Sequence, residues 1–188
     1  MVFVHNLNPI TPLGGDTCRI HDFDGLKIVE QTNFALASVA LRHNHSPAAI
    51  QAFLDTSLPT PGKWVAHAHL NAMWIGPDQW LVQAPYDTHE LLATQIKMAV
   101  GDSASVTEQT DGWCQFEVSG SRCADVFERL CNIDIRAMSR GDVTRTLLHH
   151  LGCFVRCENT SDRFCVIGPR SSAESLLHAL IASAKSVI

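Results

Sequence analysis

The sequence predicts an α+β protein in which two copies of a split βαβ (ferredoxin-like) lobe, with helices covering one face of an antiparallel sheet, form one pseudo-symmetric domain. Three observations predict it. The stretch AMWIGPDQWLV at 72–82 is echoed by RFCVIGPRSSAESLLHALI near the C-terminus. Each half carries an apolar strand, a short helix, further strands around a Gly-Pro, and a closing amphipathic helix. The 188 residues are 46% apolar and only 18% charged, enough to bury one well-formed core. The expected organisation is a single domain over 1–188, with an N-terminal arm at 1–29 and lobes at 30–102 and 103–188.

The arm is rich in Asn, Pro, Gly and Asp, with short strands expected at 18–20 and 26–29. It either lies over the core or folds against a partner. FALASVALR at 34–42 reads as a buried strand, although Ala and Leu also permit helix. Ser46-Pro47 starts a helix, because Ser accepts a hydrogen bond from an orphan N–H and Pro at the first helical position sacrifices none. That helix is expected to reach about 58, where LPTPG must end it.

In WVAHAHL, strand alternation places Trp64, Ala66, Ala68 and Leu70 on one face and Val65, His67 and His69 on the other. Gly76-Pro77-Asp78-Gln79 has the chemistry of a tight hairpin turn, which would set Ile75 opposite Trp80 and Trp74 near Leu81. A helix is expected over 88–100, with Gly101 as its C-terminal cap.

The second lobe opens with the alternating strand WCQFEV at 113–118. The turn Ser119-Gly120-Ser121 then leads into a helix that buries Val126, Phe127 and Leu130. Strand-like runs follow at 143–148 and 152–157, and ENTSD turns the chain into FCVIG. The last helix begins at Ser171 with Glu174 as a capping-box partner, burying Ala173, Leu176, Leu177, Leu180 and Ala184. Each lobe has room for one more strand than these runs supply.

Composition narrows function. A net charge of −5 without a Lys/Arg run leaves no electrostatic footprint for nucleic acid or anionic lipid. No segment offers about 20 uninterrupted apolar residues, and the N-terminus lacks a basic-then-apolar leader pattern, so a cytoplasmic location is expected. The seven cysteines form an odd set without a Cys-x-x-Cys pair and read as buried reduced thiols.

Candidate chemistry is sparse. His43-x-His45 and His67-x-His69 each put two imidazoles on one strand face if extended, but no Asp, Glu or Cys stands at ligand spacing beside them. Cys153 and Cys157 share a strand face among packing residues, and His149-His150, adjacent on a strand, point to opposite faces. There is no Gly-x-Gly-x-x-Gly, phosphate-cradling loop or Gly-x-Ser-x-Gly elbow. No catalytic, cofactor-binding or metal-binding residue is therefore assigned.

The remaining candidates are partner-facing. Trp74 and Trp80, brought together by the Pro77 turn, pack a hairpin first but also suit an interface anchor. Arg42, Arg145 and Arg170 end or interrupt apolar strands, where they either meet a partner carboxylate or reach solvent over an apolar stem.

The ordered series VALR, LPTPGKW, WIGPDQWLV, VTEQTDG, VSGSRCADVFERLCNIDI, RTLLHHLG and the closing helix, over about residues 28–186, resembles the gamma subunit of heterotetrameric sarcosine oxidase. That family is related to the aminomethyltransferase (glycine-cleavage T-protein) folate-binding fold. The resemblance implies a complex with alpha, beta and delta subunits that oxidatively demethylates sarcosine to glycine. It also implies FAD, FMN and NAD held by the larger subunits, tetrahydrofolate as one-carbon acceptor, and no cofactor in this chain. The alternative is a stand-alone tetrahydrofolate-binding aminomethyl transferase, for which Asp78 and Asp111 are the candidate acids. A histidine metal protein built on His67 and His69 is the third reading.

Overall fold

A computed structural model describes residues 9–160 and 162–188. From the N-terminus, β1 (Ile20–Phe23) and β2 (Leu26–Gln31) form a hairpin, and β3 (Ala35–Leu41) leads through α1 (Ala48–Leu54) to β4 (Trp64–His67), β5 (Leu70–Gly76) and β6 (Gln79–Ala84). A short α2 (Tyr86–His89), α3 (Leu92–Val100) and β7 (Ala104–Glu108) follow. The second half runs β8 (Trp113–Ser119), α4 (Cys123–Leu130), β9 (Val143–Leu148), β10 (Leu151–Asn159), β11 (Arg163–Pro169) and α5 (Ala173–Val187).

The strands form two sheets, β4-β5-β6-β3-β7 and β1-β2-β8-β11-β10-β9. Every strand pairing among the described residues is antiparallel. The two orders run in parallel along the chain: β4, β5, β6 and β3 occupy the places of β9, β10, β11 and β8. The next place is filled differently. In the first sheet it belongs to β7, just past residue 103, while in the second it belongs to β2, from the arm. Of the arm, residues 1–8 lie outside the described residues, as does Ser161 of the ENTSD turn.

Three apolar layers hold the molecule together. Ile50, Leu54, Leu92 and Ile96 from α1 and α3 cover one face of the first sheet with Val39, Trp80 and Val82. Phe127, Leu176 and Leu180 from α4 and α5 cover one face of the second with Phe116, Val155 and Phe164. The other faces meet through Leu36, Trp64, Met73 and Leu81 against Val143, Phe154, Cys165 and Ile167. β3 is covered by the helices on one face and by the second sheet on the other, so Ala35, Leu36, Ala37 and Val39 are all buried and the continuous apolar run has a reason on both faces. Each fully buried Leu or Phe stabilises by about 1.5–3 kcal/mol relative to exposure.

Several local expectations are corrected. The helix begun at Ser46, whose Oγ accepts the Ala48 N–H at 3.2 Å, stops at Leu54 because Asp55 turns left-handed (φ 50°) and donates its N–H to the Gln51 carbonyl. WVAHAHL is not one strand: Ala68 (φ 51°) makes a tight turn, so His67 pairs with Leu70 and His69 lies in the turn. The Gly76–Gln79 hairpin forms, but a bulge at Ile75 moves the register, pairing Trp74 with Trp80 and Met73 with Leu81. The helix expected over 88–100 is two pieces, α2 and α3. The capping box of the last helix does not form: Ser172 occupies the cap with no side-chain bond, and the Glu174 carboxylate faces Arg19 at 3.1 Å.

The sequence echo is also out of register. Gly168-Pro169 ends β11 before a helix, whereas Gly76-Pro77 joins two strands. The positional counterpart of Pro169 (φ −60°, ψ 130°) is Pro85 (φ −61°, ψ 130°), which ends β6 before α2 in the same conformation.

Candidate functional site

The facing sheets are tied along one edge, where β4 approaches β9. Trp64 N–H donates to Gly141 O and Val143 N–H to Gly62 O, both at 2.9 Å. Between them Lys63 pairs with Asp142. That ammonium, with the Ser139 N–H, holds the Asp142 carboxyl below the usual carboxylate range. The Trp64 indole N–H donates to Cys157 O at 3.0 Å, and the Arg156 guanidinium lies 4.7 Å from the Trp64 ring centroid.

Arg156 is only 5% exposed. Glu158, two residues on and therefore on the same strand face, neutralises it at 2.6 Å. Across the interface Arg156 donates to Gln83 Oε1 at 3.3 Å, which also accepts from Gln115 Nε2 at 3.2 Å. A buried charge is thus paired and hydrogen-bonded between the sheets, as the low dielectric requires.

Further along the same interface the sheets part around a cavity of about 280 Å³. Ser38, Gln79 and Gln109 line it from the first sheet side, and Trp113, Phe154 and Arg145 from the second. Gln109 Oε1 accepts the Trp113 indole N–H at 3.1 Å, and the Trp113 and Phe154 rings lie 5.8 Å apart at 54°. Arg145 sits over Phe154 at 5.8 Å. Arg145 also borders an open groove of about 750 Å³ with Asn132, Thr146, Leu147, His149 and His150.

His149 (φ 46°) and His150 (φ 73°) are the two left-handed residues of the β9–β10 hairpin turn rather than strand neighbours, and their rings stand 5.4 Å apart. The arrangement offers a cation, aromatic faces and amide groups. Such a set can recognise a ligand or partner by shape and charge.

The expected interface residues divide. Arg145 is exposed at the junction of the two cavities. Arg42 and Pro77 are exposed at one end of the first sheet, joined by the Leu41 N–H bond to Asp78 O, and Arg42 Nε donates to Ser105 Oγ at 3.3 Å. Trp80 is 7% exposed, with its indole N–H bonded to Pro59 O at 3.0 Å, and half-buried Trp74 packs on the same helix-covered face. Arg170 ties the chain to itself, bonding Ile10 O at 3.0 Å and facing Asp111 at 3.4 Å. Sequence reasoning missed Gln109, Trp113 and Phe154. No local signal could have found them, since they meet only where the two sheets face each other.

The groups considered for chemistry are placed elsewhere. Asp78 is a left-handed turn residue, and Asp111 is exposed beside Arg170; neither enters a cavity. His43 lies in the turn after β3, and His67 stands 3.7 Å from Asp55. No group of three or more His, Cys, Asp or Glu able to hold a metal ion occurs among the described residues. Cys153 and Cys157 lie together in the layer under α4 and α5. Burial pushes the Cys114, Cys123 and Cys165 thiols up to about 12 and Cys153 to about 11, so none is an activated nucleophile. Among the described residues no helix is long and apolar enough to cross a membrane.

No protein-family model matches the chain, and no curated protein matches it in sequence. Solved structures do match in fold. A chain of the heterotetrameric sarcosine oxidase from Corynebacterium sp. U-96, in complex with pyrrole 2-carboxylate, aligns with a TM-score of 0.77 at 18% identity, covering 86% of this chain and 85% of that one. The glycine cleavage system aminomethyltransferase T from Bartonella henselae aligns with a TM-score of 0.57 at 13% identity over 81% of this chain and 44% of that one. The chain therefore has an α+β fold related to aminomethyltransferase T, and it spans less than half of that enzyme.

Proposed function

We propose that this chain is the gamma subunit of a heterotetrameric sarcosine oxidase, a non-catalytic component that supports assembly of the flavin-bearing subunits. The observation carrying the proposal is the mutual coverage with one chain of such a heterotetramer: 86% of this chain against 85% of that one. Little is left over on either side. In this reading alpha, beta and delta subunits are the partners, FAD, FMN and NAD belong to the larger chains, and tetrahydrofolate accepts the one-carbon unit. The two sheets are a duplicated split-βαβ unit, an inference supported by their matching strand order.

The test is purification of tagged protein from its native host, with the co-purifying chains, the flavin absorption and sarcosine-dependent peroxide all recorded. Yellow, sarcosine-oxidising material containing larger chains is expected. A colourless single chain refutes the proposal.

Tetrahydrofolate-dependent transfer by this chain alone is the second reading, favoured by the likeness to aminomethyltransferase T. The residues do not fit it well. The 280 Å³ cavity has aromatic faces and amides, but no carboxylate lines it. Absence of tetrahydrofolate binding by equilibrium titration would remove this reading.

A further inference from the structure

β9 is an edge strand, and only its first residues are covered. Asp142 O accepts from Cys157 N–H on the β10 side, while Val143 N–H points the other way to Gly62 O. Main-chain groups alternate in direction along a strand, so Arg145 and Leu147 also direct N–H and C=O away from β10. Beyond Gly62 the chain turns away through Pro61 and Pro59, and the main-chain groups of Arg145 and Leu147 have no outward partner among the described residues. The same two residues carry exposed side chains on one face, with Leu147 63% exposed. The 750 Å³ groove draws its lining from both faces of β9, with Thr146 on one side and Arg145 and Leu147 on the other, so it lies along this edge.

Charge indicates what fits. Arg19, Arg122, Arg136, Arg156, Arg163 and Arg170 each have a carboxylate within 4.0 Å, whereas Arg42, Arg129, Arg140 and Arg145 have none among the described residues, and of these four only Arg145 lines a cavity, against the Phe154 ring. Asp and Glu outnumber Lys and Arg by 19 to 14 in the chain, yet none lines this groove, which instead holds Arg145, His149 and His150. A second copy would bring the same three basic groups to the same edge. An acid-bearing strand complements them.

We propose that the β9 edge is a strand-addition site for an extended segment of a larger partner subunit, with an acidic side chain meeting Arg145 and an apolar one covering Leu147. The proposal rests on the subunit reading above. The partner strand would take up the N–H and C=O groups of Arg145 and Leu147 and extend the second sheet past β9.

Hydrogen exchange on the complex purified from the native host, compared with the isolated chain, tests it. The Arg145 and Leu147 amides are expected to exchange rapidly in the isolated chain and at least about a hundredfold more slowly in the complex. Arg145→Glu should weaken assembly about tenfold or more, with Arg145→Lys retaining most of it. Leu147→Pro deletes the outward donor but leaves the Thr146 and Leu148 bonds to β10, and should weaken assembly similarly in a chain that melts as the parent does. A complex that assembles without slowing these amides overturns the proposal and leaves the subunit reading standing. Slow exchange already present in the isolated chain, as monomer or as dimer, overturns it as well, because the edge is then covered without a partner. Purification without larger chains refutes the subunit reading and this proposal with it.

Discussion

Replacing Arg156 by methionine removes a buried guanidinium that links the two sheets. Its side chain is 6% exposed and that of Glu158 is 22%, so the carboxylate left behind sits where water compensates only in part. The substitution deletes a 2.6 Å charge-assisted bond, a 3.3 Å bond to Gln83 and the stacking on Trp64 at 4.7 Å. Breaking one side of a buried pair costs about 3–5 kcal/mol. At about 2–4 °C per kcal/mol for a chain of this size, the melting temperature should fall by roughly 6–20 °C. Removing both charges is a different perturbation, since a hydrophobic replacement of the pair leaves no orphaned ion. Arg156→Met with Glu158→Leu should recover most of the loss. Urea melts of the parent, both single variants and the double variant supply the cycle. If the double variant loses the sum of the singles, or Arg156→Met costs under about 1 kcal/mol, the pairing argument is wrong.

Three further outcomes are expected. Gly120→Ala should destabilise by about 2 kcal/mol or more, because Gly120 has φ 122° and an added Cβ would lie 2.4 Å from the Gly25 carbonyl oxygen; calorimetry reads the shift. His149→Asn with His150→Gly should raise stability by roughly 1–2 kcal/mol, since both sites are left-handed and Asn-Gly is the natural occupant of such a turn; an unchanged denaturation midpoint would show that the turn is unstrained. Alkali should weaken the fold through its thiols. The Cys123 thiol is raised from its ordinary 9.0 to about 12, so its contribution is whole below pH 9 and is lost as pH climbs toward 12. At pH 10 that is on the order of 1 kcal/mol for this group, and the stability of Cys123→Ala should fall less steeply between pH 8.5 and 10.5 than that of the parent.

Elements whose signal is local were legible in the sequence. β3 and α5 announce themselves by apolar runs and helical spacing, and the chain places them within a few residues of expectation. The misses have local causes too, but ones a pattern does not reveal. Ala68 adopts a left-handed conformation that its side chain does nothing to favour, and Asp55, a residue type that tolerates that conformation, is one of many aspartates that a pattern does not single out. One extra residue at Ile75 shifts a hairpin by one register, exchanging the partners of both tryptophans. β7 lies in a polar stretch with only Ala104 and Val106 turned inward, too faint an alternation to read as a strand.

The candidate site was less legible because it is made by neighbours distant in sequence. Arg145 could be noticed as a charge in an apolar strand, but Gln109, Trp113 and Phe154 acquire meaning only once the two sheets face each other. The same holds for Trp80, whose indole finds its acceptor at Pro59, outside the hairpin that first drew notice to it.

The strand that β2 contributes to the second sheet has a consequence for synthesis. Lys27 pairs with Ser119, so a segment made early waits for a partner made late. At about 5–20 residues per second on the ribosome, that wait is roughly 5–20 s. The first sheet needs only residues 35–108 and can close meanwhile. Until β8 emerges, Leu26 and Ile28 remain without their core and β2 keeps an open edge. The nascent chain is then most exposed to misassociation along β2, and a chaperone or cognate subunit that reaches it during those seconds meets the protein at its least protected.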